Sequence, residues 1–180
     1  MSAWVVRSYA QPRCVALPKR NSMSTRHVPT IMTAVCPKIA SEADVPLLLS
    51  MMEQFNALEA TPWDAGAKEG ALRTLLRDRQ LGVTVLLEGE AGILGYFVLI
   101  WGYDLEWDGR DAFLTELFLV PSVRRRGYGN SALVATEAVA REHGARALHL
   151  MVRHENIVAK RLYTSHGYVS PPRQFLSKPL

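Results

Sequence analysis

The sequence predicts an α/β protein of the α+β kind, a mixed sheet with helices laid on it. Three observations point there. Apolar residues repeat at helical spacing in two early stretches, and again in two later ones. Between these pairs, residues 83–120 read as strands separated by glycine turns. The length of 180 residues suits one domain with a core of its own.

Taken in order, Pro37 to Ala40 reads as a short first strand. Ser41 is a good N-cap, and Asp44 three residues on makes an imperfect capping box. Val45, Leu48, Leu49, Met52 and Phe55 then mark one face of a helix ending near Leu58. A polar connection with Pro62, Trp63 and Gly66 leads to a second helix, whose apolar stripe is Ala71, Leu72, Leu75 and Leu76. Val83 to Glu88 and Ile93 to Trp101 read as strands around a turn at residues 89–92. A second turn at Asp108-Gly109-Arg110 returns the chain into Ala112 to Val120, a near-continuous apolar run typical of a central strand. A helix from about Asn130 to His143 follows, with Gly144 at the C′ position. Ala147 to Val152 reads as a strand, and Asn156 caps a short helix that stops at Gly167. Tyr168 to Leu176 is expected to form a hairpin-like pair around Pro171-Pro172.

Composition narrows the function classes. Hydrophobic residues make up 48% and charged residues 21%, ordinary values for a soluble globular chain. No apolar run approaches the ~20 residues of a membrane span, so no membrane partner is expected. The net charge of +4 hints at nucleic acid until it is located. Residues 1–38 hold Arg7, Arg13, Lys19, Arg20, Arg26 and Lys38 and no acidic residue, so the remainder sums to −2. The body therefore has no excess positive charge for nucleic acid. Residues 1–36 read as a basic, flexible extension, with a transit-type peptide or an ordered arm as the other readings. Residues 37–180 read as a single domain. Both cysteines, Cys14 and Cys36, fall in the extension, which fits a reducing, cytoplasmic setting. His143, His149, His154 and His166 show no metal-ligand spacing, and no metal is implied.

Chemistry concentrates in Arg124-Arg125-Arg126-Gly127-Tyr128-Gly129, between the Leu117 to Val120 strand and a helix. Glycines at a helix mouth let backbone N–H groups converge, and the helix adds about half a positive charge there. Arginine adds side-chain donors suited to phosphate. A diphosphate is the natural guest, and the plain alternative is a basic turn with no ligand. Gly127-x-Gly129-x-x-Ala132 also satisfies a dinucleotide fingerprint. Against that reading, only 25 residues follow Glu155, the candidate ribose-binding acid, too few for a doubly wound sheet.

Arg124-x-x-Gly127-x-Gly129 resembles the [QR]-x-x-G-x-[GA] signature of the GNAT N-acetyltransferase superfamily. Downstream, Asn156-x-x-Ala159-Lys160-x-Leu162-Tyr163-x-x-x-Gly167-Tyr168 is similar to that family's second element, with Tyr168 where Phe is usual. The resemblance implies the GNAT fold, with about six to seven strands in a mixed central sheet, about four helices and splayed parallel central strands. It implies acetyl-CoA as the donor, its pantetheine paired with the backbone of Phe118, Leu119 and Val120 like an added strand. Arg124, Arg125, Arg126, Gly127, Tyr128, Gly129 and Asn130 would hold the pyrophosphate and remaining phosphate. Asn156 and Lys160 would also contact the cofactor.

The implied reaction is acetyl transfer to a primary amine of a small molecule or protein. Asn156 and Tyr163 lie seven residues apart, so they share a helix face. A tyrosine hydroxyl (pKa ~10) can protonate a thiolate whose conjugate acid lies near ~8.5, so Tyr163 is the candidate acid. Glu116 is the candidate base, expected to alternate with Leu114, Phe118 and Val120 on one face; a purely structural carboxylate is the other reading. Thr115, often acidic in the family, is not acidic here, which leaves room for a base acting through water. The acceptor pocket is expected near Asn56, Trp63, Tyr96, Tyr103, Asp104 and Glu106, of which Tyr96, Tyr103 and Glu106 are the principal candidates. Homodimers are common in the family. A non-catalytic acyl-CoA sensor is the alternative, with a dinucleotide oxidoreductase behind it.

Overall fold

The computed structural model describes residues 34–90 and 92–179. The expected basic extension lies almost wholly outside them. The chain divides into two compact units, one ending at Leu150 and the other beginning at Met151.

The first unit holds the sheet. Strand β1 spans Cys36–Ile39, β2 Gly82–Gly89, β3 Gly92–Asp104, β4 Gly109–Leu119 and β5 Leu148–Leu150. They lie in the order β1-β2-β3-β4-β5. Neighbours pair antiparallel except β4 and β5, which run parallel. Among the described residues the sheet has five strands where about six to seven were expected. The missing pair is the C-terminal hairpin: residues 168–179 form neither helix nor strand. Pro171 and Pro172 each lack the N–H a ladder needs, and Val169, Phe175 and Leu176 are exposed.

Helices α1 (Val45–Glu59) and α2 (Ala65–Arg77) cover one face of this sheet. The chain enters α1 through a 3-10 turn at Glu42–Asp44, where the Asp44 carboxylate accepts from Ser41 N at 2.8 Å and Ser41 Oγ at 2.9 Å. Asp64 caps α2 by accepting from Ala67 N at 3.0 Å. Leu48, Met51 and Met52 of α1 pack with Leu72 and Leu76 of α2 onto Leu86, Tyr96, Val98 and Phe118. Helix α3 (Tyr128–Glu142) buries Ala132, Leu133, Ala135, Val139 and Ala140.

Strand β4 carries an irregularity invisible in its apolar pattern. Val98 pairs with Glu116, but the next β3 residue, Leu99, pairs with Leu114. Thr115 is therefore a bulge residue, two positions on β4 facing one on β3. Val98 and Leu99 point to opposite faces, so Leu114 and Glu116 do too. This corrects the expected alternation of Glu116 with Leu114. Glu116 keeps Phe118 on its face and joins Tyr96 and Val98 beneath α1 and α2. A further close approach occurs at Gly95, where a Cβ would lie 1.9 Å from Phe118 O.

Cys36, at the head of β1, is disulfide-bonded. Cys14 lies outside the described residues. No described helix is long and apolar enough to cross a membrane.

The second unit contains helix α4 (Ile157–Ser165). Asn156 Oδ1 caps it, accepting from Ala159 N at 3.1 Å. Gly167 follows with φ 87°, the left-handed position that ends many helices.

Candidate active site

The Arg/Gly stretch connects β4 to α3 through a 3-10 turn at Pro121–Val123. Arg125 takes φ 60° and Gly127, the N-cap of α3, takes φ 91°. Glycine tolerates that geometry freely, whereas Arg125 holds it at a cost of about 1 kcal/mol or more. The amides of Arg125, Arg126 and Gly127 find no backbone acceptor among the described residues. Those of Tyr128 and Gly129 open α3, where helical geometry supplies no acceptor either. A row of unanswered N–H donors at a helix mouth is an anion cradle.

The arginines divide their work. Arg125 and Arg126 are exposed beside the cradle. Arg124 turns back: its Nε donates to Leu119 O at 2.7 Å, and its guanidinium lies 5.1 Å from the Phe118 ring centroid. It braces the end of β4 against the loop.

The strand leading into the loop has an open edge. Parallel pairing of β4 with β5 stops at Leu114–Leu150, so residues 115–119 have no strand partner on that side among the described residues. Val120 N donates to Leu94 O at 2.9 Å, toward β3. Alternation then aims the backbone groups of Phe118 at β3 and those of Leu117 and Leu119 at the open edge. Leu119 O is already held by Arg124, which leaves Leu119 N–H and both polar groups of Leu117. Of the expected strip Phe118-Leu119-Val120, Leu119 aims backbone groups at the open edge, and Leu117 does so too.

Glu116 sits at the bulge. Tyr96 Oη donates to Glu116 Oε2 at 2.5 Å. Partial burial pushes the Glu116 carboxyl above its ordinary value of 4.5, against opposing pulls from the Tyr96 hydrogen bond and the Lys68 charge. Burial and the adjacent carboxylate push the Tyr96 hydroxyl far above its usual range, so it stays protonated and donates. Tyr96 is fully buried, and its hydroxyl serves Glu116 instead of lining an acceptor surface.

In the second unit Asn156 and Tyr163 stand on one face of α4, two turns apart. Asn156 spends its carbonyl on the helix cap, which leaves its amide N–H groups for a ligand. The Tyr163 ring packs 5.7 Å from that of Tyr168. Lys160 is partly buried on the same helix.

The model of the GNAT acetyltransferase family matches residues 48–168. The chain belongs to the GNAT acetyltransferase family. It is 26% identical over 129 residues to the uncharacterized N-acetyltransferase YhfO of Bacillus subtilis (strain 168), covering 72% of this chain and 86% of that protein. Integron cassette protein HFX_CASS3, from the mobile metagenome of Cole Harbour Salt Marsh, superposes with TM-score 0.70 at 26% identity. That match covers 80% of this chain and 90% of the other. Aminoglycoside N-acetyltransferase AAC(6')-Iy, solved in complex with CoA, shares the fold at 14% identity, with TM-score 0.67 over 81% of this chain and 94% of its own.

GNAT membership sets aside the dinucleotide reading of Gly127-x-Gly129-x-x-Ala132. Among the acceptor candidates, Tyr103 is 75% exposed and Glu106 is exposed, both at the β3–β4 turn. Asp104 Oδ1 is taken by Glu106 N at 2.8 Å. Asn56 is 3% exposed, and its Nδ2 donates to Met52 O at 2.8 Å, so it is a core residue. Trp63 packs against the apolar core. Sequence reasoning missed Lys68 and the Tyr96–Glu116 bond. Both depend on which face Glu116 occupies, which the bulge decides.

Proposed function

We propose that this GNAT protein is an N-acetyltransferase, moving the acetyl group of acetyl-CoA to a primary amine of a small molecule or protein. One observation carries the reading: a β4 edge without a strand partner, running directly into a row of amides without a backbone acceptor, both among the described residues. An extended amide-bearing arm ending in a diphosphate is the ligand that answers both. Leu117 and Leu119 would pair with the pantetheine like an added strand. The amides from Arg125 to Gly129, with the Arg125 and Arg126 side chains, would hold the phosphates, and Asn130 would flank them. Asn156 Nδ2 and Lys160 are assigned to the same ligand. Residues 37–180 would act as one catalytic domain, a reading supported by a family match that runs continuously across residue 150.

In the proposed step the amine lone pair attacks the thioester carbonyl carbon. The C–N bond forms, the C–S bond breaks, and coenzyme A leaves as the thiol. Glu116, directly or through one water, takes the proton the amine sheds, and its raised pKa suits it to that task. Tyr163 gives a proton to the departing thiolate. Tyr103 pairs with Arg110, six residues before Glu116 on β4, so Tyr103 and Glu106 would contact only the distal part of an extended acceptor, as an aromatic and an acidic group suited to a cation. The small-molecule acceptor class is supported by the aminoglycoside enzyme that shares this fold.

A supply of acetyl-CoA favours the cytoplasm, whereas the disulfide at Cys36 favours an oxidising compartment. Thiol titration of the denatured protein purified under alkylating conditions decides between them. For the activity, the protein is incubated with acetyl-CoA and a panel of amines while free thiol is followed. Amine-dependent thiol release, abolished by Tyr163→Phe with acetyl-CoA binding retained, is expected. Binding without turnover on any amine would leave an acyl-CoA sensor. Absence of binding would sink the reading.

A further inference from the structure

We propose a second ligand site at the other end of the sheet, an oxyanion pocket that takes the phosphate group of a small phosphate monoester. A pocket of about 340 Å³ is lined by Ile39, Ala40 and Ser41 after β1, Arg79 after α2, Arg110 on β4 and His143 at the end of α3. That volume is ample for a phosphate with a small organic body attached.

Trp101 organises the lining. Its Nε1 donates to Arg79 O at 3.1 Å, its ring stacks on His143 with centroids 4.9 Å apart, and the Arg110 guanidinium lies 5.7 Å from its centroid. One indole therefore contacts the backbone of Arg79 and the side chains of His143 and Arg110 around one space. His143 Nδ1 lies 2.8 Å from Val139 O, and a carbonyl only accepts, so the proton sits on Nδ1.

The electrostatics are unbalanced toward an anion. Arg79 donates from Nη2 to Ala40 O at 3.2 Å, but its Nη1 is buried with no hydrogen-bond partner. Neither Arg79 nor Arg110 has a carboxylate in ion-pair range among the described residues. Residues 1–33 contain no Asp or Glu, so no acidic side chain from that segment neutralises them. A buried guanidinium nitrogen left without an acceptor is costly and rare. Two guanidiniums suit a dianion better than a single carboxylate, and a phosphate ester carries about −1.5 to −2 at neutral pH.

The pocket is separate from the Arg/Gly cradle. The cradle opens α3 and His143 closes it, so the two stand one helix apart, about 20 Å for a helix of this length. The inference does not depend on the proposed acetyl transfer.

Inorganic phosphate is titrated calorimetrically into the full-length chain carrying Arg125→Gln and Arg126→Gln, so that the cradle contributes little. Ionic strength is held constant with chloride. Saturable one-site binding is expected, weakened about tenfold or more by adding either Arg79→Met or Arg110→Met. Melting curves identify which variants fold, and Arg110→Met carries the test if Arg79→Met does not. Non-saturable heats, or equal affinity in the folded Met variants, would overturn the proposal.

Discussion

Glu116 concentrates the chemistry at the scale of single residues, because a half-buried carboxylate is held by one strong donor and one distant cation. Its folded pKa is raised, so the folded state binds the proton more tightly than the unfolded chain does. The stability this contributes is present below the ordinary value of 4.5 and is lost as pH rises through the folded value. Glu116→Gln should therefore be more stable than the parent at about pH 8, with the gain fading by about pH 4. Its turnover should fall by roughly 10²–10⁴-fold. Denaturant melts at both pH values check the first claim, and a variant less stable at the higher pH refutes it. Tyr96→Phe removes the donor that holds the carboxylate. It should lose about 1.5–3 kcal/mol at neutral pH and move the acidic limb of the pH–rate profile upward. An unmoved limb would show that Glu116 is not the titrating group.

Among the elements, β4 and α4 make claims that can be separated from catalysis. The β3–β4 pair closes over Gly95, where any side chain meets the Phe118 carbonyl. Gly95→Ala should cost about 3 kcal/mol or more, because backbone must shift and not merely a rotamer. A melting temperature within a degree of the parent would refute that packing. On α4, Asn156 has two separable functions. Asn156→Ala should remove the cap and cost ~1 kcal/mol, while Asn156→Asp keeps an acceptor for Ala159 N. If the amide N–H groups contact the cofactor, the Asp variant retains its melting temperature yet shows a raised KM for acetyl-CoA. An unchanged KM would confine Asn156 to capping. The C-terminal stretch illustrates the opposite relation between pattern and element. A hairpin-like pair was expected around Pro171-Pro172, but consecutive prolines withhold the donors a ladder requires.

For the whole molecule, ligand binding becomes a stability measurement. Acetyl-CoA at about 100 times its Kd should add ~2.7 kcal/mol, read as a rise in melting temperature, and NAD(H) should add nothing. Arg125→Glu with Arg126→Glu should remove most of that rise by placing carboxylates at the cradle. The same shift in this double variant would displace the phosphates from the loop. Charge at this scale separates by segment: the basic residues of 1–38 account for the positive sign, and the rest sums to −2. The basic pockets in the body are therefore local arrangements, and neither is a reflection of net charge.

The order of the first nine elements, the helix cap at Asn156, and the loop joining β4 to α3 were legible in the sequence. Each rests on a local rule: periodicity, capping geometry or glycine at a helix mouth. Two spaced motifs reached the GNAT family for the same reason, since their residues act through neighbours close in the chain. What local rules cannot register is a two-against-one pairing of strands. The bulge at Thr115 depends on the partner β3, and it alone decides that Glu116 faces Tyr96 and not the side of Leu114. Arg124 also makes a contact that the sequence does not show, its Nε donating to the Leu119 carbonyl. The gathering of Arg79, Arg110 and His143 around Trp101 likewise belongs to tertiary structure, because residues far apart in the chain converge only when the sheet and its helices close.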